Sequence, residues 1–264
     1  MEYSSFLFKK EEGIATITFN RPATLNSLTF QVYEELAKAM VDLREDKDVR
    51  CLVITGTGRG FCSGGDVKEI IGELLKRDAK GLLEFTRLTG AVTLGIRNLK
   101  KPAIAAINGI AAGAGAVIAL ACDMRIAVEE ARFAFLFVKV GLSGSDMGAA
   151  YLLPKVVGMG KASELLFTGD IIDAREAERI GLVNRVVPAD QLMSVTYDMA
   201  RKIADGPPLA ISVTKDLLNN ELPMSLESAV EAEAEAQALL MLTKDFREGY
   251  QAFIEKRAPV FTGK

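Results

Sequence analysis

A chain of 264 residues that is 49% hydrophobic and 25% charged, with a formal net charge of -3, can bury a large core and carries no basic footprint for nucleic acid. It contains no histidine, which excludes Ser-His-Asp and Cys-His nucleophile systems, H-E-x-x-H metal sites and any imidazole acid or base, and leaves proton transfer to carboxylates, Lys, Tyr, Cys or water. Three isolated cysteines, Cys51, Cys62 and Cys122, form neither a disulfide framework nor a C-x-x-C metal site, so no metal is expected.

From the N-terminus, Met1 to Lys10 lacks the small-residue cleavage site of a secretory signal, and a cytoplasmic location is expected. Ile14 to Phe19 alternates as a strand, and Cys51 to Thr55 reads as a fully buried one. Between them, Tyr33, Leu36, Ala37, Met40 and Leu43 recur at the spacing of a helix that Thr29 can cap. Val67, Ile70, Ile71, Leu74 and Leu75 fit the i, i+3, i+4, i+7, i+8 pattern of a second helix. The alternation continues with a helix from about Leu82 to Leu99, a strand from Ala103 to Ile107, a buried helix to Cys122 and a strand from Arg125 to Val128. The apolar length from Pro102 to Ala121 would suffice to span a membrane, but Pro102, the Asn108-Gly109 step and the Ala/Gly richness divide it, and no membrane association is expected. Asp173-Ala174-Arg175-Glu176 opens a capped helix that Gly181 ends, and after Gly206-Pro207-Pro208 the sequence from about Leu209 to Arg257 reads as helices. Strands alternating with helices indicate an α/β architecture.

Two glycine-rich turns stand out: Phe61-Cys62-Ser63-Gly64-Gly65-Asp66, and Asn108-Gly109-Ile110-Ala111-Ala112-Gly113-Ala114-Gly115. Each follows a β-like apolar run and opens onto a helical pattern. No G-x-x-x-x-G-K-[ST] string occurs, and Ile118 stands where a dinucleotide fingerprint would carry its third glycine. Small residues let a ligand approach the main chain, and N–H groups at a helix N-terminus can stabilise an oxygen that becomes negative. Cys62 has no histidine to activate it, which leaves it a packing residue or an unassisted thiol.

With their flanks, these turns resemble the crotonase (enoyl-CoA hydratase/isomerase) superfamily over nearly the whole chain. Asn20-Arg21-Pro22-Ala23-Thr24-Leu25-Asn26-Ser27-Leu28 is similar to the family's opening motif and Lys101-Pro102-Ala103-Ile104-Ala105-Ala106-Ile107-Asn108-Gly109 to its central one. Phe167-Thr168-Gly169-Asp170 with Ala177 and Gly181-Leu182-Val183 matches a third block, and Phe253-Ile254-Glu255-Lys256-Arg257 the C-terminal signature. The resemblance implies a spiral of ββα units over residues 1–205 and a helical oligomerisation region over 206–264, assembling as a homotrimer or a dimer of trimers. It implies an acyl-CoA substrate, with coenzyme A as part of that substrate and no permanently bound cofactor. The backbone N–H groups of Gly65 and Ala114 are the implied oxyanion donors. Ala23, Thr24 and Leu25 are implied near the adenine and Arg59 at phosphate; Ser63, Gly64 and Asp66 line the first turn, and Phe253 and Lys256 contribute from the C-terminus. For Asp66 the preferred reading is a helix cap, because a carboxylate beside an entering anion is awkward unless hydrogen-bonded.

The catalytic carboxylates depart from the family pattern. Hydratases of the family carry one Glu after the second turn and another in the segment that follows, and the corresponding positions here are Val117 and Phe137. Asp146, in Gly141-Leu142-Ser143-Gly144-Ser145-Asp146-Met147-Gly148, is the replacement acid or base; the competing reading is an N-cap for the helix that begins near Gly148. Enoyl-CoA hydratase or isomerase chemistry through a thioester enolate is the expectation. Asp-assisted thioester or C–C hydrolysis and a catalytically weak acyl-CoA-binding or subunit-interaction protein are the alternatives. Phe85, Leu88, Phe135, Phe137 and Met147 are inferred to wall the acyl pocket.

Overall fold

The computed structural model describes residues 2–264. β1 (Phe6–Glu11) and β2 (Ile14–Phe19) form an antiparallel hairpin, turned by Glu12 and Gly13 at positive φ. In α1 (Phe30–Glu45) the Thr29 hydroxyl accepts the Val32 N–H, and the face carrying Val32, Tyr33, Leu36, Met40 and Leu43 is buried. The chain then enters β3 (Cys51–Gly56), parallel to β2.

From β3 onward a unit recurs, in which one strand of a large sheet turns sharply into a short strand of a second sheet and then into a helical segment. The first unit pairs β3 with β4 (Gly60–Cys62), followed by a π-helical turn at Val67–Ile71, α2 (Gly72–Leu74) and α3 (Ala79–Arg97). The second comprises β5 (Ala103–Ile107), β6 (Ile110–Ala112) and α4 (Ala114–Ala121). In the third, β7 (Met124–Val128) and β8 (Arg132–Ala134) lead through a 3-10 turn at Leu136–Val140 to α5 (Ala149–Val157) and α6 (Met159–Thr168). The chain continues through β9 (Ile172–Asp173), α7 (Ala174–Arg179), β10 (Arg185–Val187) and α8 (Leu192–Ala204). The large sheet runs β1-β2-β3-β5-β7-β10 and the small one β4-β6-β8-β9, so successive units add parallel strands to both sheets. This is the expected spiral of ββα units. All eight residues of α4 are buried, which is why this stretch is apolar on every side.

The segment inferred to span or to be divided is divided: Pro102–Ala121 supplies β5, β6 and α4, and among the described residues no helix is long and apolar enough to cross a membrane. The remaining chain is α9 (Pro208–Asn220), α10 (Leu226–Leu240) and α11 (Lys244–Glu255). Lys215 ties α9 to the spiral. Its ammonium, 4% exposed, donates to the carbonyls of Ile96 and Lys101 and to the Asp123 carboxylate at 2.8 Å.

Two local expectations differ from what is found. Phe61, Cys62 and Ile110–Ala112, taken as parts of turns, belong to strands β4 and β6; three-residue strands are too short to display a period of two. The helix after the first turn is broken into the π-turn and α2, and of its apolar positions only Ile70 is fully buried, while Val67 is 73% and Leu75 85% exposed. Apolar spacing there does not mark a core-facing stripe.

Candidate active site

The spiral brings the two glycine turns into backbone contact. A Cβ on Gly64, whose φ is +98°, would lie 3.0 Å from the Ala112 carbonyl oxygen and 3.5 Å from the Ala114 nitrogen, and a Cβ on Gly113 would lie 3.8 Å from Gly64 Cα. Gly115 is tighter still, since its Cβ would approach the Cys62 carbonyl oxygen to 2.2 Å. Only glycine permits β4 and the start of α4 to meet in this way.

Around the junction several N–H groups are paired with carbonyls, though that of Gly64 is not: Ser63 donates to Leu25 O (3.0 Å), Asp66 to Leu28 O (2.8 Å) and Gly113 to Ala134 O (2.9 Å). The N–H groups of Gly65 and Ala114 have no acceptor among the described residues. Unpaired donors on two adjoining turns, one of them heading α4, form a site for an oxygen that gains negative charge.

The opening motif is folded onto this junction. Pro22–Thr24 forms a 3-10 turn, and Leu25 and Asn26 both take positive φ, at 52° and 59°. Asn26 holds the arrangement: its side-chain amide donates to Thr57 O (2.9 Å) and Gly60 O (2.7 Å), and its Oδ1 accepts from Arg21 N (2.9 Å). Ser63 Oγ donates to Thr24 O at 3.1 Å. Arg59 lies between Gly58, whose Cβ would meet Pro22 at 3.0 Å, and Gly60, whose Cβ would meet Leu25 at 3.3 Å; its guanidinium is exposed and forms no ion pair among the described residues. Ala23, Thr24, Leu25, Arg59 and Ser63 therefore share one surface, while Gly64 is buried.

Asp66 takes the capping role. Its Oδ1 accepts from Lys68 N (3.0 Å) and Glu69 N (3.1 Å), and its Oδ2 meets the Ser27 hydroxyl (2.9 Å) and Arg21 (3.4 Å). These hydrogen bonds, the Glu69 N–H foremost, lower its pKa. Arg21 also pairs with Glu69 at 2.9 Å, and the sequence signal for this network was the Asn-Arg-Pro motif itself. Phe253 and Lys256 are not gathered here. Phe253 lies 81% exposed on α11, lining a cavity of about 440 Å³ with Leu209, Leu240, Phe246, Tyr250 and Phe261.

Asp146 does not cap α5. Gly148 occupies the cap position and no side chain bonds the first turn; the Asp146 carboxylate accepts only the adjacent Met147 N–H, at 2.9 Å. It has no cationic partner among the described residues, and burial pushes its pKa above the usual carboxylate value. Met147 is buried at φ 51° and Gly148 follows at φ 92°, a pair of left-handed residues that fixes the direction of the loop and that nothing in the sequence announced. Burial holds the pKa of the Tyr33 phenol on α1 well above its ordinary value. Burial raises the Cys62 thiol to about 12, which keeps it protonated and makes it a packing residue. Val117 is completely buried, and Phe137 is partly buried against the core.

Comparison with known proteins matches this architecture to one family. Residues 9–264 match the model of the enoyl-CoA hydratase/isomerase family. The chain is 42% identical to a probable enoyl-CoA hydratase of Mycobacterium bovis, over 94% of this chain and 89% of the relative. It is 35% identical to 1,2-epoxyphenylacetyl-CoA isomerase of Escherichia coli, over 96% and 97%. A crystal structure of a putative enoyl-CoA hydratase from Streptomyces coelicolor superimposes with a TM-score of 0.97 at 50% identity, covering 100% of this chain and 96% of the other. The chain belongs to the enoyl-CoA hydratase/isomerase family, the crotonase superfamily.

Proposed function

We propose that this family member performs hydration- or isomerisation-type proton transfer on an acyl-CoA thioester, with the Gly65 and Ala114 N–H groups as its oxyanion hole and Asp146 as its acid and base. The thioester carbonyl oxygen accepts from both N–H groups, so removal of a proton from the acyl carbon chain leaves an enolate whose charge rests between two fixed donors. Asp146 receives that proton as a carboxylate and returns it as an acid, with Val117 and Phe137 offering no second proton carrier. The observation that carries the reading is the pair of unpaired donors on touching turns. Ala23, Thr24, Leu25 and Arg59 are the proposed CoA contacts, and Phe253 and Lys256 reach the CoA of a neighbouring subunit.

The test is a panel of CoA thioesters followed by mass spectrometry, which separates hydration from hydrolysis, with chromatography to resolve isomers, on wild type and Gly65→Pro. Removing one donor should lower kcat by about 10²–10³-fold. Undiminished turnover in a folded Gly65→Pro protein excludes the hole.

A further inference from the structure

The turn from β3 to β4, Gly56-Thr57-Gly58-Arg59-Gly60, carries Arg59, and three of its five residues are glycine. Left to itself, a segment of that composition samples many conformations. Two asparagine side chains from other motifs hold it. Asn108, which follows β5, donates from its amide to Gly58 O (2.9 Å) and Gly60 O (3.1 Å) and accepts the Gly56 N–H (3.3 Å). Asn26, 1% exposed, reaches the same Gly60 O at 2.7 Å and Thr57 O at 2.9 Å. Gly60 O thus accepts two side-chain amides at once. The main chain of Arg59 is seated as closely, since a Cβ on Gly109 would collide with the Arg59 carbonyl oxygen. Beyond Gly60 the chain runs through β4 to Gly65, and beyond Asn108 it runs through β6 to Ala114; the two strands pair at Gly60 and Ile110. The grip on Gly60 therefore stands at the root of both glycine turns.

We propose that Asn108, together with Asn26, is a positioning residue for ligand binding: the pair freezes the β3–β4 turn so that Arg59 meets a phosphate of the CoA whose thioester lies at Gly65 and Ala114. The inference rests on the reading of Arg59 as a CoA contact given above. Thioester and phosphate belong to one molecule, so a cation serves it only at a fixed span from the oxyanion donors. Arg59 is exposed and forms no ion pair among the described residues, which leaves the backbone beneath it to set its direction. Ordering that backbone before the ligand arrives removes the ordering cost from binding.

The test is a double-mutant cycle on coenzyme A affinity, read by calorimetric titration of wild type, Arg59→Ala, Asn108→Ala and the double variant. Each single substitution should weaken binding about tenfold. The double variant should bind no more weakly than either single one, because Asn108 acts through Arg59. An asparagine with a merely structural role weakens binding whether or not Arg59 is present, and the double variant would then lose about a hundredfold. That result, or an Asn108→Ala protein that binds as wild type does, overturns the role of Asn108. An Arg59→Ala protein that binds as tightly as wild type overturns the reading of Arg59, and this inference with it. Failure of wild type to bind coenzyme A overturns the CoA reading itself. Should Asn108→Ala not fold, Asn108→Ser, whose hydroxyl keeps one donor, enters the cycle with the same expected outcomes.

Discussion

Asp146 carries opposite demands. Its folded-state pKa is raised by burial, so its contribution to stability is fully present below the ordinary carboxylate pKa and is lost as pH rises through the raised value. At neutral pH the ionised form is held at a cost, which a catalytic base accepts and a helix cap would not. Asp146→Asn retains an oxygen for the Met147 N–H while deleting the charge. Turnover should fall about 10²–10⁴-fold. Thermal melts across pH should show the variant more stable than wild type near neutrality, with the gain vanishing in acid; a loss of stability at neutral pH would return Asp146 to a structural role. Because no histidine is present, the rise of wild-type kcat with pH through the raised Asp146 pKa should show no imidazole inflection.

At the scale of elements, the contact between β4 and α4 sets the spacing of the proposed donors. Gly115→Ala places a methyl group against the Cys62 carbonyl, so the two elements must separate. Such overpacking should cost about 1–3 kcal/mol. Denaturant melts and kcat should fall together, whereas Gly90→Ala, with nothing within 4 Å in the middle of α3, should stabilise by about 0.5–1 kcal/mol. A Gly115→Ala protein as stable and as active as wild type would show that the close approach is incidental. The longer elements were legible because tertiary packing agrees with local pattern: Thr29 caps α1, Ile14–Phe19 and Ala103–Ile107 are strands with the expected bounds, and Asp173 caps α7. The second sheet was not legible, because its strands of two or three residues are defined by partners distant in sequence. In the candidate site, the glycine turns could be read from composition, and their contact could not. Asp146 was ambiguous in sequence because cap and catalyst share a residue type, and the hydrogen-bond geometry removes the cap.

For the whole molecule, the helical region beyond the spiral exposes more apolar surface than a solitary chain needs. Leu242, Phe246, Tyr250 and Phe253 are each more than half exposed at the end of α10 and along α11. We expect these residues to be covered in a trimer or a pair of trimers, the closed symmetry implied by the family resemblance. Light scattering at about micromolar concentration checks this, and a monomer would reject it. The same assembly would give Phe253 and Lys256 a neighbouring CoA to meet, which a single chain does not.

The complete burial of α4 makes the two jaws of the proposed oxyanion clamp mechanically unequal. Ala114 heads a helix walled in on every side, so its N–H has no room to shift without disturbing the core. Gly65 instead is held by a β-bridge to Leu28, whose N–H donates to Gly64 O and whose carbonyl accepts the Asp66 N–H, and just beyond it the chain runs exposed through Val67. The proposed clamp would thus have one jaw set in the core and the other set near the surface by a single bridge, so that any give between the two would fall to the second.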